Sequence, residues 1–361
     1  MRLRAAGRCD RPARRAAAAA LLCAASLAAA AQAREGCDGR ARLASESTTN
    51  VRFDNDMFGG AGQDQGYTNG FMVTNVSPNL VDYRDDPCLP GIVRRLNRYL
   101  AWLQPGGYDE QNMTLGFGQA LFTPADPKRA DLVADDRPYA AALLVGSGYN
   151  ARKGGHLRTS QIRVGIVGPS ALGEQVQNGW HDLIGSQRFL GWDHQLRDEP
   201  VLQLVHERRR RWQRRESPAG WGWDAVGHWG GSLGNFATYA NTGMEWRFGY
   251  RLPDDFGTAP LRPAGENMAP VASPGRDAGW AAHLFLAFDA RWVLHDITLD
   301  GNTFKSSHSV DRRPLVADVG YGLAVTRGRW KFAFARSHRT REFEGQREAP
   351  VYGSFTISKR F

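Results

Sequence analysis

The sequence predicts an all-β protein: a transmembrane, antiparallel, up-and-down β-barrel of about twelve strands, with a short helix in an extracellular loop. Three observations predict it. After Ala33 no apolar run is long enough for a membrane-spanning helix, period-2 alternation recurs along the rest of the chain, and the alternating segments are long and apolar on one face only. From Trp280 onward, Trp280, Ala282, Leu284, Leu286, Phe288, Ala290, Trp292 and Leu294 form an apolar face. Ala281, His283, Phe285, Ala287, Asp289, Arg291 and Val293 form a smaller, more polar one. Val319, Tyr321, Leu323 and Val325 repeat the pattern, as do Trp330, Phe332 and Phe334. Strands of a soluble sandwich are shorter, commonly about 5–6 residues.

The N-terminus is read separately. Arg2, Arg4, Arg8, Arg11, Arg14 and Arg15 precede an apolar run from Ala16 to Ala30, followed by Ala31-Gln32-Ala33. That order predicts a secretory signal peptide over 1–33 and a barrel over 34–361. The apolar run is short for a ~30 Å hydrocarbon core, which argues against an anchor. Removing the six Arg and one Asp of the leader takes the formal net charge from +9 to +4, with 40 basic against 36 acidic side chains. Nucleic acid is therefore not an expected partner. Cys9 and Cys23 leave with the leader, and Cys37 and Cys88 remain as an even pair for an oxidising compartment, where a structural disulfide is one possibility.

Taken in order, strands are expected near 46–54, 67–77, 112–122, 138–149, 158–168, 199–211, 219–229, 238–250, 279–294, 314–326, 329–338 and 350–361. The last ends on Phe361, which resembles the signal by which outer-membrane barrels are recognised for insertion, although Lys359 stands where an apolar residue is commoner. Connections 78–111 and 251–278 are the least regular parts. An even strand number with both ends inside puts loops 55–66, 123–137, 169–198, 230–237, 295–313 and 339–349 on the external rim. The basic run Arg208 to Arg215 is read as a solvated turn on the periplasmic side.

Candidate chemistry collects on the external rim. In FDNDMFGGAGQDQGYTNGF, Asn55, Asp56 and Thr68 offer hard oxygen donors from the tops of adjacent strands, with Asp64 between them. Such donors suit Ca²⁺ better than a soft metal, and no His/Cys set at zinc spacing exists. In the loop PSALGEQVQNGWHDLIGSQRFLGWDHQL, Ser170 is a reasonable helix N-cap. Val176, Trp180, Leu183 and Ile184 recur at helical spacing, and Gln177 and His181 share a face at i and i+4. A helix carrying Gln and His over the mouth of a barrel is hard to explain as packing. The loop with Gln119, Thr123 and Pro124 adds Lys128 and Arg129, which are surface charges or anion clamps. Asp136 and Arg137 read as a structural pair. Gly230-Gly231-Ser232-Leu233-Gly234 matches G-x-S-x-G but reads as a glycine-rich turn, since a nucleophile elbow needs a strand before it and a helix after it. A histidine near a hard cation remains, the minimum for hydrolysing an ester with water.

FDNDMF, GYTNG, QALFTP with DDRPYA, VGPSALGEQVQNGWHDLIG and LGNFATYANTGMEWRFGYRLPDDFG resemble the lipid A 3′-O-deacylases of Gram-negative outer membranes, over essentially the whole mature chain. The resemblance implies a twelve-stranded barrel in the outer membrane, with its active site at the outer-leaflet end between the wall and the loop helix. By that resemblance His181 is the general base and Gln177 its neighbour, with Asn55 also in the catalytic group. Asn55, Asp56 and Thr68 form the calcium and substrate site, and Lys128 and Arg129 contact the phosphorylated glucosamine. The substrate is then lipid A of lipopolysaccharide in the outer leaflet, attacked without an acyl-enzyme, and a monomer is the expected state. Many relatives have Glu where this chain has Asp54, and the loop holding the basic pair varies in length.

Two other readings compete. One is a phospholipase acting on glycerophospholipid, for which Lys128 and Arg129 should not matter. The other is a non-catalytic porin or adhesion scaffold, against which Ala281, Phe285 and Ala287 predict a narrow, filled lumen.

Overall fold

Each alternating segment places one row of side chains outward and the next inward, so successive strands pair until the sheet meets itself. The computed structural model describes residues 47–59, 66–80, 82–86, 89–107, 110–258 and 279–361. The expected leader, Asp64, Cys37 and Cys88, and with the cysteines the possible disulfide, lie outside the described residues. The strands are β1 (Thr48–Asn55), β2 (Gly66–Val76), β3 (Glu110–Thr123), β4 (Ala140–Lys153), β5 (His156–Val167) and β6 (Glu199–Glu216). They continue as β7 (Trp221–Gly234), β8 (Ala237–Tyr250), β9 (Trp280–Asp296), β10 (Leu315–Arg327), β11 (Trp330–Arg339) and β12 (Val351–Arg360). Neighbours in sequence pair antiparallel, and β1 closes on β12 from Thr48 opposite Arg360 to Asn55 opposite Gly353. Closure leaves no free strand edge, the condition for crossing hydrocarbon with strands.

The two faces separate as the alternation requires. On β9, Leu284 is 60% exposed while Phe285 is 3% exposed, and Leu286 and Phe288 continue the outward row. Trp221, Trp246, Trp280 and Trp330 point outward near one end of the wall, as an aromatic girdle does at a membrane interface. The connections 154–155, 217–220 and 328–329 on that rim are tight turns, which marks it as the periplasmic one.

The lumen is filled, though less by apolar side chains than the sequence suggested. Phe285 and Ala287 are buried, but paired charges occupy most of the space. The Arg247 guanidinium donates to both Asp224 oxygens at 2.8 and 2.6 Å and pairs with Asp255. Arg339 donates to Asp318 at 2.8 Å, and Asp289 accepts from Asn241 at 3.0 Å beside His228. An ion crossing this lumen would have to break buried pairs whose partners are then left uncompensated. The expected result in a planar lipid bilayer is no stable conductance from the reconstituted protein; porin-like steps would overturn it.

Four expectations need correction. The basic run Arg208–Arg215 lies in β6, whose hairpin with β7 extends further than the charge density suggested, because inward arginines find carboxylates there. Arg211 pairs with Asp254, and Arg209 donates to Glu207 at 2.7 Å. The G-x-S-x-G match is the end of β7 rather than a turn, with Ser232 buried and bonded to Gln203. Arg137 pairs with Glu342 at 3.1 Å and lies over the Phe122 ring; only its backbone N–H donates to Asp136. Connection 78–111 holds an unpredicted helix, α1 (Gly91–Tyr99), packed by Val93 and Leu100 against Met113 and Tyr149. Those two residues are directly paired and share the outward parity of Phe117 and Val145, so α1 lies on the outside of the wall.

Candidate active site

Asn55 closes β1, and its side chain holds the start of β2. Its Nδ2 donates to the Thr68 carbonyl at 2.9 Å, and its Oδ1 accepts from the Met57 N–H at 2.9 Å. The β2–β3 register slips between Tyr67 and Asn69, which makes Thr68 the extra residue of a β-bulge; bulges re-aim side chains in this way. The Thr68 hydroxyl thereby reaches that of Thr123 at 2.8 Å. Asp56 follows at once, and Asn55, Asp56 and Thr68 are all buried. Asp54 is on the opposite face: it meets Arg52 at 2.9 Å and accepts from the Tyr67 hydroxyl at 2.7 Å inside the lumen. Asn55 and the bulged Thr68 thus stand together at the external end of β1 and β2, Asp56 is the next residue along the chain, and Asp54 points inside.

The long loop folds against the same outer face. Both its ends are stitched to β4, through Gly168 N–H to the Ala141 carbonyl and Leu196 N–H to the Tyr139 carbonyl, each at 2.9 Å. Gln119, outward on β3, donates to the Ala171 carbonyl at 2.6 Å. The helix α2 (Gly173–Ile184) begins there, after Leu172 in a left-handed conformation. Ser170 is not its N-cap, because the Ser170 hydroxyl and N–H both bind Asp198 (2.7 and 2.8 Å) and so tie the two ends of the loop. Gly185, with φ 71°, ends the helix in the conformation that favours glycine.

The helix faces the opposite way from a soluble amphipathic helix. Gln177 and His181 are 0% and 1% exposed, whereas Val176 is 41% and Leu183 76% exposed, with Trp180 and Ile184 on the same outer side. The polar stripe is turned to the barrel and the apolar stripe to the surroundings, which is the favourable arrangement when those surroundings are hydrocarbon. The helix also lies on the outside of the wall rather than over the mouth. Ala171, Phe189 and Trp192 pack with the outward Leu121, Tyr139 and Ala141.

His181 is held at both ring nitrogens. Its Nδ1 meets the Gln187 carbonyl, which can only accept, so Nδ1 carries the proton. Nε2 then presents its lone pair, toward which Gln177 Nε2 donates at 3.0 Å. Gln177 Oε1 is buried with no hydrogen-bond partner among the described residues. The Phe189 ring lies 5.5 Å from the imidazole and 6.1 Å from Tyr139. The neighbouring Asp182 is paired with Arg188, whose hydrogen bond holds its carboxyl below the usual range, and both side chains are exposed.

The two halves share one rim and one face. Asn55 pairs with Asn69, Asn69 with Leu121, and Leu121 with Ala141, so Asn55 is about 10 Å across the sheet from Leu121. Leu121 packs in the group that holds Phe189, and Phe189 touches His181. Lys128 and Arg129 approach from the neighbouring loop, where Leu190 N–H donates to the Pro127 carbonyl at 3.0 Å. Lys128 is exposed. Arg129 donates through Nε to Asp131 at 3.1 Å, and that bond raises the arginine's pKa and lowers the aspartate's. A surface pair of this kind contributes little and can exchange partners. Sequence reading missed the Gln187 carbonyl, Phe189 and Tyr139; the first two lie in an irregular segment with no period to reveal them.

The sequence model of the family described as Outer membrane protein LpxR matches residues 17–361. Among solved structures, LpxR from Salmonella typhimurium superposes with a TM-score of 0.67 at 17% identity, covering 87% of this chain and 100% of that one. The beta domain of the Bordetella autotransporter BrkA gives 0.38 at 10% identity, over 88% and 98% of the chains. The translocator domain of autotransporter NalP from Neisseria meningitidis gives 0.33 at 12%, over 96% and 98%. No curated protein matches.

Proposed function

From the premise that this chain belongs to the family of outer membrane protein LpxR, and so lies in the Gram-negative outer membrane, we propose that it is an esterase removing the 3′-linked acyloxyacyl group of lipid A. The observation that carries this reading is the inverted helix: an imidazole held through Nδ1 by the Gln187 carbonyl and buried on the lipid side of the barrel wall. An ester reaches such a site by moving sideways within the leaflet, without leaving hydrocarbon for its acyl chains.

In this reading water takes the place of the Gln177 amide at His181 Nε2 and gives up a proton there, and the water oxygen attacks the ester carbonyl carbon. The carbon–oxygen bond to the sugar then breaks, and the imidazolium returns its proton to the departing 3′ hydroxyl. Gln187 fixes the tautomer, and the orphan Gln177 Oε1 is an acceptor for the second proton of the attacking water. The Asp56 carboxylate and the oxygens of Asn55 and Thr68, all three residues buried, are hard donors and would hold a hard divalent cation. Calcium held there would supply positive charge to stabilise an oxyanion. Lys128 and Arg129 are the clamp for a phosphorylated sugar.

Purified protein offered lipid A and glycerophospholipid in parallel should cleave lipid A alone. Lys128→Ala with Arg129→Ala should weaken that cleavage about tenfold through KM. Cleavage of both lipids with no effect of the pair would favour a phospholipase. Helix placement has its own test at Gly173, where a Cβ would lie 2.4 Å from Ala141 Cβ and 2.8 Å from the Trp192 ring. Gly173→Val should lift α2 off the wall and reduce turnover about 10²-fold, with the folded barrel still migrating as a compact species on unheated gels. Unchanged turnover would show that seating of the helix is immaterial.

A further inference from the structure

The opposite rim carries a second feature on the same outer wall. We propose that the outward face of β5 and β6 at the periplasmic end is a binding site for the anionic phosphodiester headgroup of an inner-leaflet phospholipid, ligated by Arg158, Arg208 and Arg210.

The strand register sets up the cluster. Arg158 stands directly opposite Arg208, and His156 opposite Arg210; like charges in such pairs are destabilising. On the inward side of β6 the basic residues are neutralised, Arg209 by Glu207 and Arg211 by Asp254. On the outward side, no carboxylate pairs with Arg158, Arg208 or Arg210 among the described residues, and Arg158 Nε is buried without a hydrogen-bond partner. Together with Trp229 and Gly106–Gly107 from the connection after α1, they line an open groove of ≈ 590 Å³. A row of basic residues left unpaired only on the lipid side of a strand fits an anion supplied by the lipid.

Depth and neighbours agree. Arg158 lies two residues from His156, where β5 begins, so about 7 Å from the turn, and its partner Arg208 pairs in turn with Trp229. That is headgroup depth, where arginine side chains are tolerated. The flank of the site is α1, moored to the wall by Asn97, whose Oδ1 accepts from the Tyr149 hydroxyl at 2.7 Å. Its free side exposes Ile92 (73%), Tyr99 (76%) and, just beyond the helix, Trp102 (65%), with Arg95 beside them. This is the pattern of a helix lying in a membrane interface. The apolar stripe continues the lipid-facing wall, and the groove beside it supplies the charge for a phosphate.

The test uses the folded full-length protein in vesicles of phosphatidylcholine with a minority of phosphatidylglycerol, reading the ratio of the two lipids retained after extraction. Wild type should enrich phosphatidylglycerol about tenfold, and Arg158→Gln/Arg208→Gln/Arg210→Gln should abolish the enrichment. Arg327→Gln, outward on β10 over Trp280, should leave it intact. Equal enrichment in wild type and the triple variant, or equal loss in Arg327→Gln, overturns the proposal. Displacement of the lipid by inorganic phosphate at similar concentration overturns it too, in favour of a free-phosphate site. Should the triple variant not fold, Arg208→Gln alone is read the same way, with a partial loss expected.

Discussion

His181→Ala is expected to lower lipid A deacylation by about 10²–10⁴-fold, the range a positioned general base contributes, while the barrel folds as before. The separation of effects follows from position. His181 belongs to a loop helix on the outside of the wall, and its ring contacts include Gln177, the Gln187 carbonyl and Phe189. None of these is a strand-pairing contact, so the closed sheet does not depend on the imidazole. Lipid A from membranes carrying the variant, read by mass spectrometry, should keep its 3′ acyloxyacyl group while wild-type membranes lose it. Identical lipid A masses would refute the role. Gln177→Glu is a graded companion: it keeps the shape but replaces the amide donor at Nε2 with a carboxylate, and turnover should fall by less than in His181→Ala.

Asp56→Ala is expected to be comparably severe, about 10²–10³-fold, as for removal of a principal stabiliser of an oxyanion. The signature is the response to calcium. Wild type should lose activity to a chelator and regain it on calcium addition, whereas the Asp56 variant should respond to neither. Asp54 cannot stand in for Asp56, because it is committed to Arg52 and Tyr67 in the lumen. Asp54→Ala should therefore act through stability of the lumen network and leave the calcium response in place. Calcium-independent activity in wild type would remove the ion from the account.

The wall was legible because its period is that of a strand and its outward row is continuous: Leu284, Leu286 and Phe288 can be read as lipid-facing before any coordinates exist. The helix was legible for the same kind of reason, from Val176, Trp180, Leu183 and Ile184. Its orientation was not. Reading an apolar stripe as the buried face assumes water outside, and here the outside is lipid, so Gln177 and His181 take the buried side. The helix α1 escaped notice although Ile92, Leu96 and Tyr99 stand at i, i+4 and i+7, since its arginines read as loop. The extra length of β6 beyond Arg211 was hidden by its charges, among them Arg214, which meets Asp254 at 3.5 Å and donates to the Leu252 carbonyl at 2.8 Å. Gln187 acts through a backbone carbonyl, which no side-chain pattern can announce.

The central claim is that a hard cation and the His181 imidazole face each other on the outer face of the external rim. Anomalous diffraction from crystals of the protein grown with calcium tests it most directly. The account predicts one peak bounded by the Asp56 carboxylate and the oxygens of Asn55 and Thr68, with His181 Nε2 close enough to share a water with an ester carbonyl placed there. A peak inside the lumen, at the periplasmic rim, or separated from His181 by packed side chains would contradict it.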